Sequence, residues 1–294
     1  MDTTEAIAAP LLAWAAERGR TLAVREARTP WAVLVAEVMS QQTQIARVGP
    51  YWRRFLDRWP TPDALATAST RELLDAWAGL GYNRRPLALR DAARRIVTEH
   101  GGRVPADVAA LEALPGIGRY TARAVAANAF GLPVAPVDVN VRRVVTRVTG
   151  IEGAGVQAEA DRLIAATEPG PWVHATMDLA ATVCTRLRPR CEDCPLADIC
   201  RSRGTGGEPP RRRSTTTATV AGDAADRAGR PFPATTRWLR GRILARLREV
   251  PDGVWTTFDG PIGSHDVAAV RQALRDLADE RFVELDEGRA RLLP

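Results

Sequence analysis

From the start of the chain to about residue 202, apolar positions recur at three- and four-residue intervals with no sustained alternation of period two. That pattern predicts short amphipathic helices joined by Pro, Gly and Asn turns. Thr29-Pro30 supplies a start signal, and "WAVLVAEVMSQQTQIARV" predicts one helix closed by Gly49-Pro50. Further helices are predicted at about 50–58, 62–67, 70–78, 84–100, 107–113, 119–130, 139–149, 155–166 and 172–183. From Gly204 to about Thr236 the periodicity gives way to Gly, Pro, Thr and charge, the composition of a linker or surface wrap. Helices at about 236–249 and 264–280 then precede two short alternating runs around Asp286-Glu287-Gly288, which predict a hairpin. The expected organisation is a mainly α unit over 1–202, a linker over 203–235, and a small winged-helix-like module over 236–294.

A chain of 294 residues exceeds the usual size of one domain, in keeping with a long unit plus a smaller one. No apolar run reaches the roughly eighteen residues of a membrane span, so a soluble, cytoplasmic protein is expected. The formal net charge is +6, and arginines pair at 53–54, 84–85, 94–95 and 142–143 and cluster at 211–213. This favours a polyanionic partner, although solvated helix faces would read the same way. All 41 basic residues are arginine. With no lysine, no side-chain amine exists to form a Schiff base.

The four cysteines all lie in "CTRLRPRCEDCPLADIC", at Cys184, Cys191, Cys194 and Cys200, with six, two and five residues between them. In a cytoplasmic setting such a loop reads as a four-thiolate metal site rather than as two neighbouring disulfides. Four thiolates suit tetrahedral zinc or a [4Fe-4S] cluster, and the compact single loop without two separated knuckles tilts toward iron–sulfur. Arg186, Arg188 and Arg190 fall inside it, so folding around the metal would offer a cationic surface to phosphates.

Two further places carry chemistry. In "LPGIGRYTA", Gly116 and Gly118 allow a tight turn that presents backbone N–H groups at a helix start, a phosphate-binding geometry and also that of an ordinary helix-turn-helix corner. Asp138 in "PVDVNVRRV" reads as an N-cap, and Glu37 interrupts the apolar run "WAVLVAEVM". Desolvation there would raise the Glu37 pKa, unless Glu37, Gln41 and Gln44 form one face turned to water.

Taken in order, the hairpin, "PVDVNVRRV" and the cysteine loop resemble the helix-hairpin-helix superfamily of DNA glycosylases. "EVMSQQTQIARVGPYWRRF", "LPGIGRYTARAV" and "MDLAATVCTRLRPRCEDCPL" are similar to its MutY-type adenine DNA glycosylases, over about residues 20–202. The resemblance implies a two-lobed fold, with a helical barrel over about 24–134, a cluster lobe of 1–23 plus 135–202, and a [4Fe-4S] cluster in preference to zinc. It implies that Glu37 protonates adenine N7, that Asp138 stabilises or traps the oxocarbenium ion, that Asn140 orients Asp138, and that Tyr120 supports the site. Tyr120 stands where lyase members carry their nucleophilic lysine, so no lyase activity is expected. Arg25 is placed near the adenine by the same likeness, Gly116 and Gly118 on the backbone phosphate, and Gln42 and Tyr82 around the opposite base. The implied partner is duplex DNA with an A:8-oxoguanine or A:G mispair, bound by a monomer associated with the nucleoid.

Departures from the pattern bear on substrate. Ser40 stands where members usually have Leu, and Asn83 where they have a second Tyr. Many members end in a Nudix-like domain whose Phe-Ser-His loop reads 8-oxoguanine, and residues 203–294 carry no such loop; "GPIGSHD", with Ser264-His265, is the nearest likeness. A thymine or uracil mismatch glycosylase and a catalytically silent DNA-binding protein are the alternative readings.

Overall fold

The computed structural model describes residues 3–204 and 231–294. Most of the expected linker, with the arginines at 211–213, lies outside the described residues. The helices, in order, are α1 (Thr3–Arg18), α2 (Pro30–Ser40), α3 (Ile45–Arg58), α4 (Pro62–Ala66), α5 (Thr70–Ala76), α6 (Arg84–His100), α7 (Val108–Glu112), α8 (Arg119–Phe130), α9 (Val139–Thr149), α10 (Gly155–Ala165), α11 (Pro169–Thr182), α12 (Thr236–Arg248) and α13 (Val267–Asp279). Three short strands follow α12 or α13: β1 (Thr256–Thr257), β2 (Val283–Asp286) and β3 (Arg289–Leu292).

Two compact units emerge, and they do not follow the expected boundaries. One comprises Met1–Ala66 with Ala88–Arg212, the other Thr67–Leu87 with Arg213–Pro294. The expected division placed 67–87 inside the barrel lobe and began the C-terminal module at 236. The segment joins the C-terminal unit through bonds no local pattern announces: Arg71 reaches the carbonyl of Leu247 at 3.1 Å, and Arg248 reaches that of Leu74 at 3.1 Å.

Within the first unit, α2 is apolar on nearly every side, and Trp31, Leu34, Val35, Val38 and Met39 are all buried. A helix with no polar stripe has to sit inside a core. The indole N–H groups of Trp31 and Trp52 meet the carbonyls of Trp59 (3.0 Å) and Ala32 (2.9 Å), so burying both rings strands no donor. A second cluster gathers Leu11 of α1, Val141, Val144 and Val148 of α9, Leu163 of α10, and Trp172 and Leu179 of α11. Each such side chain contributes about 1.5–3 kcal/mol by leaving water.

The single helix predicted through "WAVLVAEVMSQQTQIARV" is in fact two. α2 stops at Ser40, Gln42 takes a left-handed φ of 54°, and α3 starts at Ile45 and continues through Gly49-Pro50 to Arg58. The Gln41 amide donates to the Gly116 carbonyl (3.3 Å) and the Thr121 hydroxyl (3.2 Å), anchoring the chain where it turns. Pro50 sits inside α3 and removes one ladder donor without ending the helix.

The second unit holds α12, α13 and a sheet of order β1-β3-β2, all antiparallel. The predicted hairpin is β2–β3, with Val283 opposite Leu292 and Asp286 opposite Arg289. β1 escaped the sequence pattern because two residues show no alternation.

Candidate active site

A pocket of about 570 Å³ opens within the first unit, and the expected site residues Glu37, Asp138, Tyr120, Asn140, Arg25 and Gln42 all line it. That volume lies in the range of a small-molecule or nucleobase site.

Glu37 projects from α2 into this wall rather than toward water. Burial raises its carboxyl from the ordinary 4.5 to about 7, against the lowering effect of the Asn128 amide, whose Nδ2 lies 3.3 Å from Oε1. A carboxyl at about 7 is shared between acid and carboxylate near neutrality.

Asp138 is the N-cap of α9, as its local sequence suggests, and the cap fixes it. Its Oδ1 accepts from the N–H groups of Asn140 and Val141, each at 2.8 Å, and its Oδ2 accepts from the Asn140 side-chain amide at 2.7 Å. The helix dipole favours the carboxylate there. Asn140 is held in turn by Arg143 (3.1 Å), which also donates to the Cys184 carbonyl at 2.8 Å. For Tyr120, in the first turn of α8, burial first, then the charges of Glu37 and Asp138, push the phenol above its ordinary range. It stays protonated at every physiological pH.

The hairpin is α7, the turn at Leu114–Gly118, and α8. Leu114 and Ile117 are buried and pin the turn. Gly116 has φ 76°, and a Cβ there would stand 2.8 Å from that of Ala88, so both backbone and space demand glycine. Gly118 is the N-cap of α8, and no side chain caps this helix start.

Arg25 lines the pocket but is not a free hook. Its guanidinium donates twice to Asp178, at 2.9 and 2.7 Å, and Arg20 donates to the same acid from its backbone N–H (2.8 Å) and Nε (2.6 Å). Burial alone would raise Asp178, yet these bonds outweigh it and hold the carboxyl below its usual value. His174 also lines the pocket, and burial, followed by the Arg25 charge, lowers it to about 4, so it is neutral. Nothing in the local sequence pattern singles out Asn128 or His174. Asp178 interrupts the apolar α11 as Glu37 interrupts α2, and that shared signal would have found it. Asp178→Ala leaves two arginines without their buried partner; a loss of about 3 kcal/mol is expected. Denaturant unfolding of the full chain checks it, and an unchanged midpoint would make the clamp dispensable.

Ser40 remains on the pocket wall with its hydroxyl turned back to the Ala36 carbonyl at 2.7 Å. Tyr82 belongs to the other unit, exposed and at a left-handed φ of 53°. In that unit too, the His265 ring stacks on Trp238 (5.9 Å) and bonds the Pro233 carbonyl (3.1 Å), so the Ser264-His265 stretch is tied into the module's own packing.

The four thiols come together, since each of the other three acts electrostatically on Cys194. Four thiolates supplied by one short loop, Cys184 to Cys200, are a donor set that fits a [4Fe-4S] cluster. Arg147 donates to the carbonyls of Thr185 (2.8 Å) and Arg186 (3.0 Å), bracing the loop from α9 while Arg186, Arg188 and Arg190 stay exposed.

The HhH-GPD superfamily base excision DNA repair family matches residues 35–166, and the iron-sulfur binding domain of endonuclease III matches 184–200. An adenine DNA glycosylase of Mycobacterium tuberculosis is 44% identical over 247 residues, covering 81% of this chain and 77% of the relative. A solved thermostable thymine-DNA glycosylase superposes with a TM-score of 0.65 at 25% identity, over 69% of this chain and 97% of that one. A solved endonuclease III–DNA complex gives 0.59 at 26% identity, over 70% and 98%. At 44% identity to the mycobacterial adenine DNA glycosylase over most of both chains, with the repair-family and iron–sulfur matches falling in turn along it, the chain belongs to the MutY-type adenine DNA glycosylases of the helix-hairpin-helix base excision repair superfamily.

Proposed function

We propose that the chain hydrolyses the N-glycosidic bond of adenine mispaired with 8-oxoguanine or guanine in duplex DNA and stops at the abasic site. The observation that carries this reading is a single pocket lined both by an acid poised near neutrality, Glu37 at about 7, and by a rigidly held carboxylate, Asp138. Breaking the bond leaves positive charge on the sugar and negative charge on the departing base. Protonated Glu37 donates to adenine N7, and the electron pair of the C1′–N9 bond leaves with the base. Asp138 stabilises the oxocarbenium ion until water adds at C1′ and passes a proton to the Glu37 carboxylate, which restores the acid. Asn140 and the α9 amides keep Asp138 aimed, and the Tyr120 phenol supports the pair without acting as a nucleophile. The target base has to leave the stack to reach such a pocket.

The Gly116–Gly118 turn holds a backbone phosphate in this reading, and Gln42 and Tyr82 act around the opposite base. Cys184, Cys191, Cys194 and Cys200 hold the [4Fe-4S] cluster, whose contribution is to staple the loop that presents Arg186 and Arg188 to DNA. The chain acts as a monomer.

Single-turnover assays on A:8-oxoguanine, A:G, T:G and U:G duplexes test the proposal. Base release is expected from the first two alone, with strand scission only after alkali, because no lysine is present to form an imine. Release of thymine or uracil would favour the mismatch alternative, scission without alkali would refute the monofunctional reading, and binding without release from any duplex would favour a silent binder.

A further inference from the structure

Asn128 lies near the C-terminal end of α8 and lines the pocket together with Glu37. Its Nδ2 donates to Glu37 Oε1 at 3.3 Å, and among the described residues no other group donates to this carboxyl. The opposite end of the amide is buried. Asn128 Oδ1 faces the first turn of α11, where a Cβ on Gly170 would stand 3.7 Å away, and it has no hydrogen-bond partner among the described residues. Stranding a buried acceptor costs about 1–3 kcal/mol, which an apolar side chain at this position would avoid. What the amide supplies instead is a donor aimed at Glu37.

We propose that Asn128 is a positioning residue for proton transfer: its N–H fixes Oε1 as the accepting oxygen of Glu37, leaves the proton on Oε2, and tightens its hold as that proton departs. The inference rests on the proposed role of Glu37 as the acid and adds a residue that acts through it. In a neutral carboxyl the carbonyl oxygen is the better acceptor, so the amide selects the form with its O–H on Oε2. Once the proton passes to the base, Glu37 is a carboxylate, and a hydrogen bond to an ionised acceptor is shorter and roughly twice as strong. The bond therefore favours the state after transfer over the state before it, the condition under which an interaction speeds a step rather than merely binding. Its direction agrees, since the amide lowers Glu37 against the burial that raises it to about 7. Without the amide Glu37 becomes a weaker acid that stays protonated to higher pH. The other ionisable side chains on the pocket wall are Arg20, Arg25, Tyr120, Asp138 and His174. Both arginines are held by Asp178, Asp138 is held in the α9 cap, His174 is lowered to about 4, and the Tyr120 phenol is raised above its ordinary range. From α3, which packs on α2, only Ile45 reaches the wall, and Arg119 and Arg123 of α8 stay off it. An inflection near neutrality therefore belongs to Glu37.

The test is the pH profile of single-turnover adenine release from an A:8-oxoguanine duplex, measured on the full chain with Asn128→Leu, with Asn128→Asp, with Glu37→Gln, and with Asn128→Leu and Glu37→Gln together. In Asn128→Leu the inflection is expected to rise by about one pH unit, the effect of losing one hydrogen bond to a charged group. A weaker acid donates more slowly, so the level on the acid side should fall about threefold, and the profiles then cross, with the variant about threefold faster than the unsubstituted chain at pH 9. Asn128→Asp keeps the shape while replacing the donor by a second acid, and it should move the inflection the same way. In the Glu37→Gln background Asn128→Leu should change the rate by less than about twofold, because nothing remains for residue 128 to act through. Misfolding lowers the active fraction at every pH and leaves the inflection in place, so a purely structural effect gives a different profile. An inflection unmoved in both Asn128 variants, or an equal loss with and without Glu37, would overturn the inference. An inflection that persists in Glu37→Gln alone would overturn the acid assignment and this inference with it, which is a separate result.

Discussion

Asp138→Asn is expected to abolish adenine release while leaving duplex affinity near that of the unsubstituted chain. Asparagine is itself a good N-cap, so its Oδ1 can still accept from the Asn140 and Val141 N–H groups that Asp138 now satisfies at 2.8 Å, and α9 keeps its start. On the proposed mechanism, what disappears is the negative charge that faces C1′ as the sugar becomes cationic. In a pocket shielded from water such a charge is worth far more than in bulk solvent, and a loss of about a thousandfold corresponds to roughly 4 kcal/mol of barrier. Single-turnover release with enzyme in excess measures it directly. A variant that keeps more than a tenth of the rate would remove Asp138 from the chemistry and leave it a cap.

Glu37→Gln is the second large effect, with release slowed by about 10²–10⁴-fold, the usual worth of a positioned general acid. The pH profile identifies the cause. Burial lifts the Glu37 carboxyl to about 7, so the protonated form prevails below that pH and is lost above it. Release by the unsubstituted chain should therefore be level on the acid side and fall about tenfold per unit above neutrality. The glutamine variant should lack that inflection, and a substrate whose base leaves without protonation should recover most of its rate. If the inflection near 7 persists in Glu37→Gln, another group supplies the proton.

Some of this site is legible from neighbours a few residues apart. Asp138 and the amides it caps are two and three residues away, and the Ser69–Glu72 capping box closes over three. Helix boundaries at Arg84–His100, Arg119–Phe130 and Val139–Thr149 fall where Gly, Pro and the cap residues put them. The cysteine spacing fixes a loop for the same reason, because all four ligands lie within one short stretch.

Other features depend on partners far away in the chain. Arg25 meets Asp178 across 153 positions, and Arg71 meets Leu247 across 176. Neither side of such a pair disturbs the local periodicity, so the resemblance could place Arg25 near the adenine and 67–87 in the barrel lobe without showing either partner. The break after Ser40 is of the same kind: "SQQTQ" carries no Gly or Pro, and the turn depends on Gln41 reaching Gly116 and Thr121.

By itself, then, the sequence determined the helical class, the capping position of Asp138 and the cysteine loop, since each is written in residues close enough to interact along one helix, cap or turn. Only the tertiary structure decided that Glu37 faces a pocket and titrates near neutrality, that Arg25 is clamped by Asp178, and that the Asn128 amide meets Glu37. Those properties come from desolvation and from charges brought together by packing, and both are set by what surrounds a side chain in space rather than by what adjoins it in the chain.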